Sequence, residues 1–132
     1  MITASLKNTR IAPRKVRIVA DMIRGKSVVD AKIILMLADK KARHPIADLI
    51  DSAVANAAHN FKIGPEGLIV KEIRVDQGFV MKRSMPVSRG SAHPIKLRNS
   101  HISIILAVGE GKKSKSKKSV KSAKTDKAVA KK

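Results

Sequence analysis

The sequence predicts an α+β fold: a small three-stranded antiparallel sheet packed on three helices, with a long extended β-hairpin projecting from the body and a disordered basic C-terminal tail. Residues 13–61 carry apolar side chains at helical spacing, whereas segments 2–6, 68–75 and 101–108 have the alternation or β-branched content of strands. The 25 residues 76–100, which join the last two segments, predict the projection, because a compact fold needs only about 2 to 5.

In chain order, a short strand comes first, because apolar residues alternate at Ile2, Ala4 and Leu6. Helix one follows. Pro13 suits the first turn of a helix, and Gly25 suits the left-handed residue that ends one. The spacing therefore predicts a helix between these two positions.

Helix two is predicted to begin after Ser27, because Ser27 and Asp30 form a capping-box pattern with Asp in place of Glu, and to end near Asp39. Helix three begins either at Lys40, with Pro45 distorting it, or at Pro45 itself, where proline fits a first turn. Its predicted apolar face is the most regular in the chain and consists of Ile46, Leu49, Ile50, Ala53, Val54, Ala57 and Phe61.

Segments 68–75 and 101–108 are predicted to pair as antiparallel strands. The sequence Gly-Pro-Glu-Gly at 64–67 formally matches the GxxG loop of KH domains, but it carries an acid and leads into a strand. A turn is the better interpretation of this segment.

The connection 76–100 is predicted to be a hairpin with two arms of about 12 residues, reaching on the order of 40 Å. Residues 77–109 contain no Asp or Glu, although they include Lys82, Arg83, Arg89, Lys96 and Arg98. A bare hairpin of this length is not stable alone in water, so we expect it to lie against phosphate. A disordered surface loop is the competing interpretation.

Charge and composition restrict the partner. The chain carries 29 Lys and Arg against 10 acids, a net charge of +19, which favours a polyanion: nucleic acid first, an anionic membrane second. Trp and Tyr are absent and Phe occurs twice, which leaves almost no platform for base stacking. There is no cysteine for a disulfide or thiolate metal site, no apolar run of membrane-spanning length, and no secretory signal at the N-terminus. We therefore expect a cytoplasmic protein that does not insert into a membrane.

The predicted domain covers residues 1–110, including the hairpin at about 76–100, and a tail covers 111–132. The tail has ten Lys and one acid but no aromatic residue, Leu or Ile, so we expect it to be disordered when free. It is either a solubilising tail or a nonspecific phosphate-binding arm.

Arg14, Arg17 and Arg24 share one face of helix one and are candidate phosphate ligands, although salt bridges to Asp21 compete for Arg17 and Arg24. The complete set of candidate RNA-binding residues is Lys7, Arg10, Arg14, Lys15, Arg17, Arg24, Lys26, Lys82, Arg83, Arg89, Lys96, Arg98 and His101.

The sequence gives little support for a catalytic function, because the four histidines lack metal-ligand spacing and neither HExxH nor GxSxG occurs. We expect no enzyme, cofactor, metal site or small-molecule substrate. A histone-like architectural DNA-binding protein is the alternative function, supported only by the tail and the net charge.

Several short runs, in this order and spacing, are specific to one family: residues 13–26, 51–60, 75–78, 81–83, 85–86 and 100–102. Together they resemble bacterial large ribosomal subunit protein number twenty-two, over about residues 1–109. The resemblance implies a structural constituent of the cytoplasmic large ribosomal subunit, monomeric within the particle, that binds 23S-type rRNA. It also implies other large-subunit proteins and the nascent polypeptide as partners, because the family's hairpin helps to organise rRNA and line the peptide exit tunnel.

By position, the resemblance assigns the tunnel-facing tip to Met81, Lys82, Arg83, Ser84, Met85, Pro86, Val87, Ser88, Arg89, Gly90, Ser91, Ala92 and His93. Relatives commonly have Arg at the positions of Val87, Ser91 and Pro94, so this tip carries less charge. Gly90 is expected to take the positive φ that a chain reversal requires.

Overall fold

A computed structural model describes residues 2–109, and this part of the chain has the predicted α+β class. Its elements are β1 (Ile2–Thr9), α1 (Pro13–Ile23), α2 (Val28–Leu37), α3 (Arg43–Phe61), β2 (Leu68–Pro86) and β3 (Ala92–Val108). The predicted tail at 111–132 and the domain boundary before it lie outside the described residues.

The three strands form one antiparallel sheet in the order β1-β3-β2, so β3 occupies the centre. The predicted pairing of the two strong strands is confirmed, with Ile73 opposite Ile104 and Val75 opposite Ile102. The predicted N-terminal strand pairs with the other edge of β3. Residues 64–67 form a turn with a single 3-10 segment, Pro65–Gly67, that leads directly into β2, as predicted.

Helix α1 begins at Pro13 and ends at Ile23, close to its predicted limits. Gly25 follows with φ of +73°, a conformation that glycine adopts without strain. Its N–H donates to the carbonyl of Val70 at 2.9 Å, and the N–H of Val70 donates to the carbonyl of Lys26 at 2.9 Å. The end of α1 is thereby tied to the edge of β2.

Helix α2 starts after Ser27, whose Oγ accepts a hydrogen bond from the N–H of Asp30 at 3.1 Å, so the predicted N-cap is confirmed. The helix ends at Leu37, slightly before the predicted end near Asp39. The Arg43 guanidinium donates to the carbonyls of Met36 and Ala38, at 3.3 and 3.4 Å, and so satisfies two acceptors at this helix end.

Helix α3 starts at Arg43, between the two predicted positions, and Pro45 lies in its first turn without breaking it. A first-turn residue has no intrahelical acceptor for its N–H, so the missing donor of proline costs nothing there. Phe61 departs from the prediction, because its side chain is 51% exposed rather than packed in the core. It is the last residue of the helix, beyond Ala57, the last buried position.

The helices cover one face of the sheet and enclose a single core. Its strand contribution comes from Ile2, Leu68, Val70, Ile73, Val75, Ile102, Ile104 and Leu106. The other face of the sheet carries polar side chains such as Thr3, Ser5 and Ser103. None of the helices described is both long and apolar enough to cross a bilayer.

Beyond the core, β2 and β3 continue as a two-stranded hairpin. Every residue in 82–98 is exposed, so this part extends away from the body. The pairing is unbroken from Val80 opposite Arg98 to Pro86 opposite Ala92, which confirms the predicted hairpin rather than the alternative of a disordered loop.

Candidate nucleic-acid interface

The alternation of the hairpin arms sorts their side chains onto two faces. Directly opposed residues of an antiparallel pair point to the same face, and successive pairs alternate. The pairs Val80–Arg98, Lys82–Lys96 and Ser84–Pro94 therefore form one face, which we call the basic face. The pairs Met81–Leu97, Arg83–Ile95 and Met85–His93 form the other, which we call the apolar face although it includes Arg83.

Lys82 and Lys96 are directly opposed on the basic face, and Arg98 lies on the same side. Like charges opposite each other destabilise a strand pair, because β-carbons in this position are only about 5 Å apart. No acid lies within residues 77–109 to offset the repulsion. The basic face is consequently suited to an external polyanion.

The hairpin tip turns through residues 87–91. Arg89 and Gly90 both have positive φ, +58° and +74°, so the expectation for Gly90 is confirmed and Arg89 shares the reversal. The Val87 N–H donates to the Ser91 carbonyl at 2.9 Å, and Ser91 Oγ donates to the Ser88 carbonyl at 3.0 Å. The tip therefore presents the Arg89 side chain on a turn closed by hydrogen bonds.

The root of the hairpin is fixed by His101. Its Nδ1 accepts a hydrogen bond from the N–H of Asn8 at 3.0 Å, at the irregularity of β1 where Asn8 has φ of +60°. Nearby, buried Ser100 donates through Oγ to the Ile11 carbonyl at 3.0 Å. His101, a candidate RNA ligand by sequence, thus already has a structural partner.

Two of the candidate arginines on α1 bind the backbone of β2. Arg17 donates from Nε and Nη2 to the Val75 carbonyl at 3.2 and 3.0 Å. Arg24 donates to the Ile73 carbonyl at 3.3 Å and forms a salt bridge with Asp21 at 2.7 Å. The competing salt bridge to Asp21 therefore occurs at Arg24 and not at Arg17.

The remaining candidates are exposed, and their side chains make no hydrogen bond or salt bridge to another residue in 2–109, apart from Arg98, which donates to Gln77 Oε1 at 3.1 Å. Among these candidates, the exposed cations whose side chains have no such partner are Lys7, Arg10, Arg14, Lys15 and Lys26 in the body and Lys82, Arg83, Arg89 and Lys96 in the hairpin.

Sequence reasoning did not assign a role to Arg74 on β2. Its Nε donates to Glu72 Oε1 at 2.5 Å, and this hydrogen bond lowers the pKa of the exposed Glu72 carboxyl and raises that of the Arg74 guanidinium. Sequence reasoning also did not separate the two hairpin faces. The period-two pattern that distinguishes them is present in residues 80–86 and is the signal that could have found them.

No catalytic arrangement accompanies these cations. Among residues 2–109, no group of three His, Asp or Glu side chains is placed to hold a metal ion. In the open groove between α1 and β2, the guanidinium groups of Arg17, Arg24 and Arg74 already pair with the backbone or with acidic side chains.

Comparisons with known proteins agree on the family. The family model for ribosomal protein L22p/L17e matches residues 4–107. A relative from Acholeplasma laidlawii, named large ribosomal subunit protein uL22, is 49% identical over 104 residues, which cover 79% of this chain and 94% of the relative. Relatives of the same name from Herpetosiphon aurantiacus and Deinococcus radiodurans are each 50% identical, over 107 and 104 residues, covering 81% and 79% of this chain and 95% and 78% of theirs.

The match spans most of β1, the three helices and the whole hairpin, and so includes both faces and the tip. The resemblance seen in short runs of sequence is confirmed, and with it the expectation of a non-catalytic protein. The chain belongs to the ribosomal protein L22p/L17e family, whose members are structural proteins of the large ribosomal subunit.

Proposed function

We propose that this protein binds large-subunit rRNA through the exposed cations of its body and hairpin, and that the hairpin helps to line the nascent-peptide exit tunnel. The observation that carries the proposal is the acid-free hairpin with two lysines directly opposed on its basic face. Its partners in the particle are rRNA, other large-subunit proteins and the nascent chain.

The low stability expected of the hairpin in isolation supports an RNA partner. A two-stranded ribbon is marginally stable by itself, and this one adds repulsion between Lys82 and Lys96. Phosphate groups on the basic face would replace that repulsion with charge-assisted contacts. The extended, paired conformation of the hairpin is then stabilised by the RNA that it contacts.

The two faces suggest how the hairpin is oriented. Lys82, Lys96 and Arg98 fit a phosphate backbone, whereas Met81, Met85 and Leu97 offer nothing to phosphate. We therefore place the basic face against rRNA and the apolar face toward the tunnel lumen, where the nascent chain passes. Arg83, on the apolar face, would then contact the lumen more than the RNA that Lys82 contacts.

A crosslinking experiment tests the orientation. Photo-reactive residues are placed at Ser84 or Met85, which are adjacent in sequence but lie on opposite faces. In ribosomes that carry a stalled, labelled nascent chain, position 84 is expected to crosslink to rRNA and position 85 to the nascent chain. Exclusive crosslinking of both positions to rRNA would contradict the orientation, and failure of the protein to co-purify with large subunits through a high-salt wash would contradict the function.

A further inference from the structure

Helix α1 carries two large apolar side chains on its solvent-facing side. The residues that it buries against the core are Pro13, Val16, Val19, Ala20 and Ile23. An amphipathic helix normally has polar and charged residues on the opposite side. Ile18 and Met22 lie on that side and are 59% and 43% exposed. We call these two residues the apolar pair.

Two cations lie beside the apolar pair. Ile18 and Met22 are four positions apart, so their side chains are neighbours on the helix surface. Arg14 precedes Ile18 by four positions and Lys15 precedes it by three, so each is also its neighbour. Both cations are exposed, and their side chains form no hydrogen bond or salt bridge with another residue in 2–109. We call Arg14, Lys15 and the apolar pair the α1 face.

The charge around the α1 face is positive however widely it is counted. Residues 10–26 contain six Lys and Arg and one acid, a net charge of +5. That acid, Asp21, is paired with Arg24 at 2.7 Å. Residues 10–41, which add the whole of α2 and its flanks, contain nine Lys and Arg and three acids, a net charge of +6.

The strand beside α1 does not reverse this charge. Glu72 on β2 is paired with Arg74, and Asp76 adds one further carboxylate at the groove between α1 and β2. Together with residues 10–26 these three residues still give a net charge of +4. The side chains that line this groove do not include the apolar pair, so the acids lie to one side of the α1 face.

The α1 face has a fixed position on the body. Arg17 donates twice to the Val75 carbonyl, and the N–H of Gly25 donates to the Val70 carbonyl at 2.9 Å, so both halves of the helix are tied to β2. A site on such an anchored helix loses little conformational entropy when a partner binds.

The positive charge favours a polyanion, and the apolar pair indicates which part of RNA it meets. A paired A-form helix presents phosphates, 2′-hydroxyls and base edges, and its base faces are covered by stacking. Aliphatic side chains gain little from such a surface. An unpaired nucleotide exposes the face of its base, and Ile and Met are among the side chains that pack against or between bases.

A protein partner fits the α1 face less well. The centre of a protein-protein interface is depleted of charged residues, Lys among them, whereas nucleic-acid interfaces are strongly positive. Here two apolar side chains adjoin two cations that have no acidic partner in the described part of the chain. This composition favours RNA.

We propose that the α1 face holds an unpaired nucleotide of large-subunit rRNA, with Ile18 and Met22 against its base and Arg14 and Lys15 on the adjoining phosphates. The inference rests on the proposed binding of rRNA by this protein. It adds to that function a contact that depends on an exposed base and not on charge alone.

Removing the apolar pair tests the base contact. Ile18→Ala with Met22→Ala deletes the apolar groups and places the best helix former at both positions. We expect the affinity of the full chain for large-subunit rRNA to fall roughly tenfold. The slope of log affinity against log salt should stay the same, because no charge is lost.

The matched control is Ile33→Ala with Met36→Ala, which removes the same two residue types from α2, where they are 52% and 76% exposed. We expect this control to leave rRNA affinity unchanged. Thermal unfolding checks that both variants remain folded. Equal losses of affinity in the two variants, or no loss for the apolar pair, would overturn the inference.

A charge variant separates this inference from the proposed function. Arg14→Gln with Lys15→Gln should weaken rRNA binding and make the salt slope shallower by about 1.4, at roughly 0.7 for each phosphate. If this variant binds weakly while the apolar-pair variant binds like the unmodified protein, the base contact is wrong and rRNA binding stands. If the unmodified protein itself does not bind large-subunit rRNA, the proposed function is wrong as well.

A photo-reactive residue at Met22 in purified large subunits identifies the nucleotide. A crosslink to a nucleotide whose Watson–Crick edge is open to chemical modification in large subunits that lack the protein supports the inference. Crosslinks confined to base-paired nucleotides, or to another protein, would overturn it.

Discussion

His101, Asn8 and Gly78 meet where the hairpin leaves the body. The His101 ring accepts a hydrogen bond from the Asn8 N–H, and its other edge lies against Gly78. A β-carbon added to Gly78 would lie 3.0 Å from Nε2 and 3.1 Å from Cε1 of that ring. Glycine is therefore favoured here by the close approach of the His101 ring, although its φ is not positive.

Gly78→Ala is expected to lower the free energy of unfolding by about 1 kcal/mol, because the His101 ring must shift away and strain its bond to Asn8. Thermal unfolding of the free protein measures the loss. Gly64→Ala is the matched control, since an added β-carbon at Gly64 meets no atom within 4 Å. If His101→Ala does not relieve part of the loss in the double variant, the clash is not its cause.

Arg14 and Arg17 share a helical face in the sequence but differ in their contacts. Arg17 holds the Val75 carbonyl with two nitrogens, whereas Arg14 is exposed and has no such partner among residues 2–109. The same residue type thus contributes to stability at one position and remains available for phosphate at the other.

Replacing each arginine with alanine should separate these roles. Arg17→Ala is expected to cost about 1 kcal/mol of folding stability, because a backbone acceptor at the edge of the core loses a charged donor. Arg14→Ala should leave stability unchanged and weaken rRNA binding. Denaturant unfolding and filter binding of both variants provide the comparison, and a loss of stability in Arg14→Ala would contradict it.

At the scale of elements, β2 and β3 each have one part in the body and one part in the projecting hairpin. In the body their apolar side chains pack in the core, as at Ile73 and Ile104. In the hairpin, over residues 82–98, their side chains are exposed. The strand period continues through both parts, so the same alternation that buries one face near the body separates basic from apolar side chains in the hairpin.

Lys82→Glu is expected to have opposite effects on the free protein and on the complex. It replaces repulsion with attraction across the strands to Lys96, stabilising the isolated hairpin by about 0.5 kcal/mol. It also removes a cation from the basic face and adds an anion, weakening rRNA binding about tenfold.

Hydrogen exchange of residues 80–98 and rRNA affinity report these two effects separately. Lys82→Gln is the control for loss of charge alone. Slower exchange combined with weaker binding is the expected result for Lys82→Glu. Undiminished rRNA affinity would show that the basic face does not meet phosphate.

At the scale of the whole molecule, charge is distributed unevenly. The hairpin has no acid beyond Asp76, whereas in α2 the two charged residues, Asp30 and Lys32, cancel each other. Nine of the thirteen candidate RNA-binding residues are exposed and their side chains have no polar partner in 2–109, which gives an estimate of how many phosphates the candidate interface can neutralise.

Binding of the full chain to large-subunit rRNA should weaken steeply with salt. If about nine phosphates are neutralised at roughly 0.7 counterions each, the logarithm of affinity falls with the logarithm of salt at a slope of about −6. Titration over a range of salt concentrations measures the slope, with duplex DNA as competitor to test the architectural DNA-binding alternative. A slope near zero would contradict an electrostatic interface.

Local sequence patterns were sufficient for most of the fold. Pro13 and Gly25 predicted the limits of α1, and Ser27 predicted the N-cap of α2. The length of the connection 76–100 predicted a projecting hairpin, and the absence of acids in 77–109 predicted its basic character. These features depend on backbone geometry, capping and the free-energy cost of burying charge, all of which can be judged from a short stretch of sequence.

Long-range contacts decided the rest. The sequence could not show that Arg17 would be occupied by the Val75 carbonyl while Arg14 stayed free, or that His101 would bind Asn8, because those partners lie 58 and 93 positions away. Phe61 was misplaced for the same reason, since periodicity does not show where the core ends. By itself the sequence determined the elements, the charge and the family likeness; only the tertiary structure decided which cations are available to a partner, because availability depends on what the folded chain brings beside each side chain.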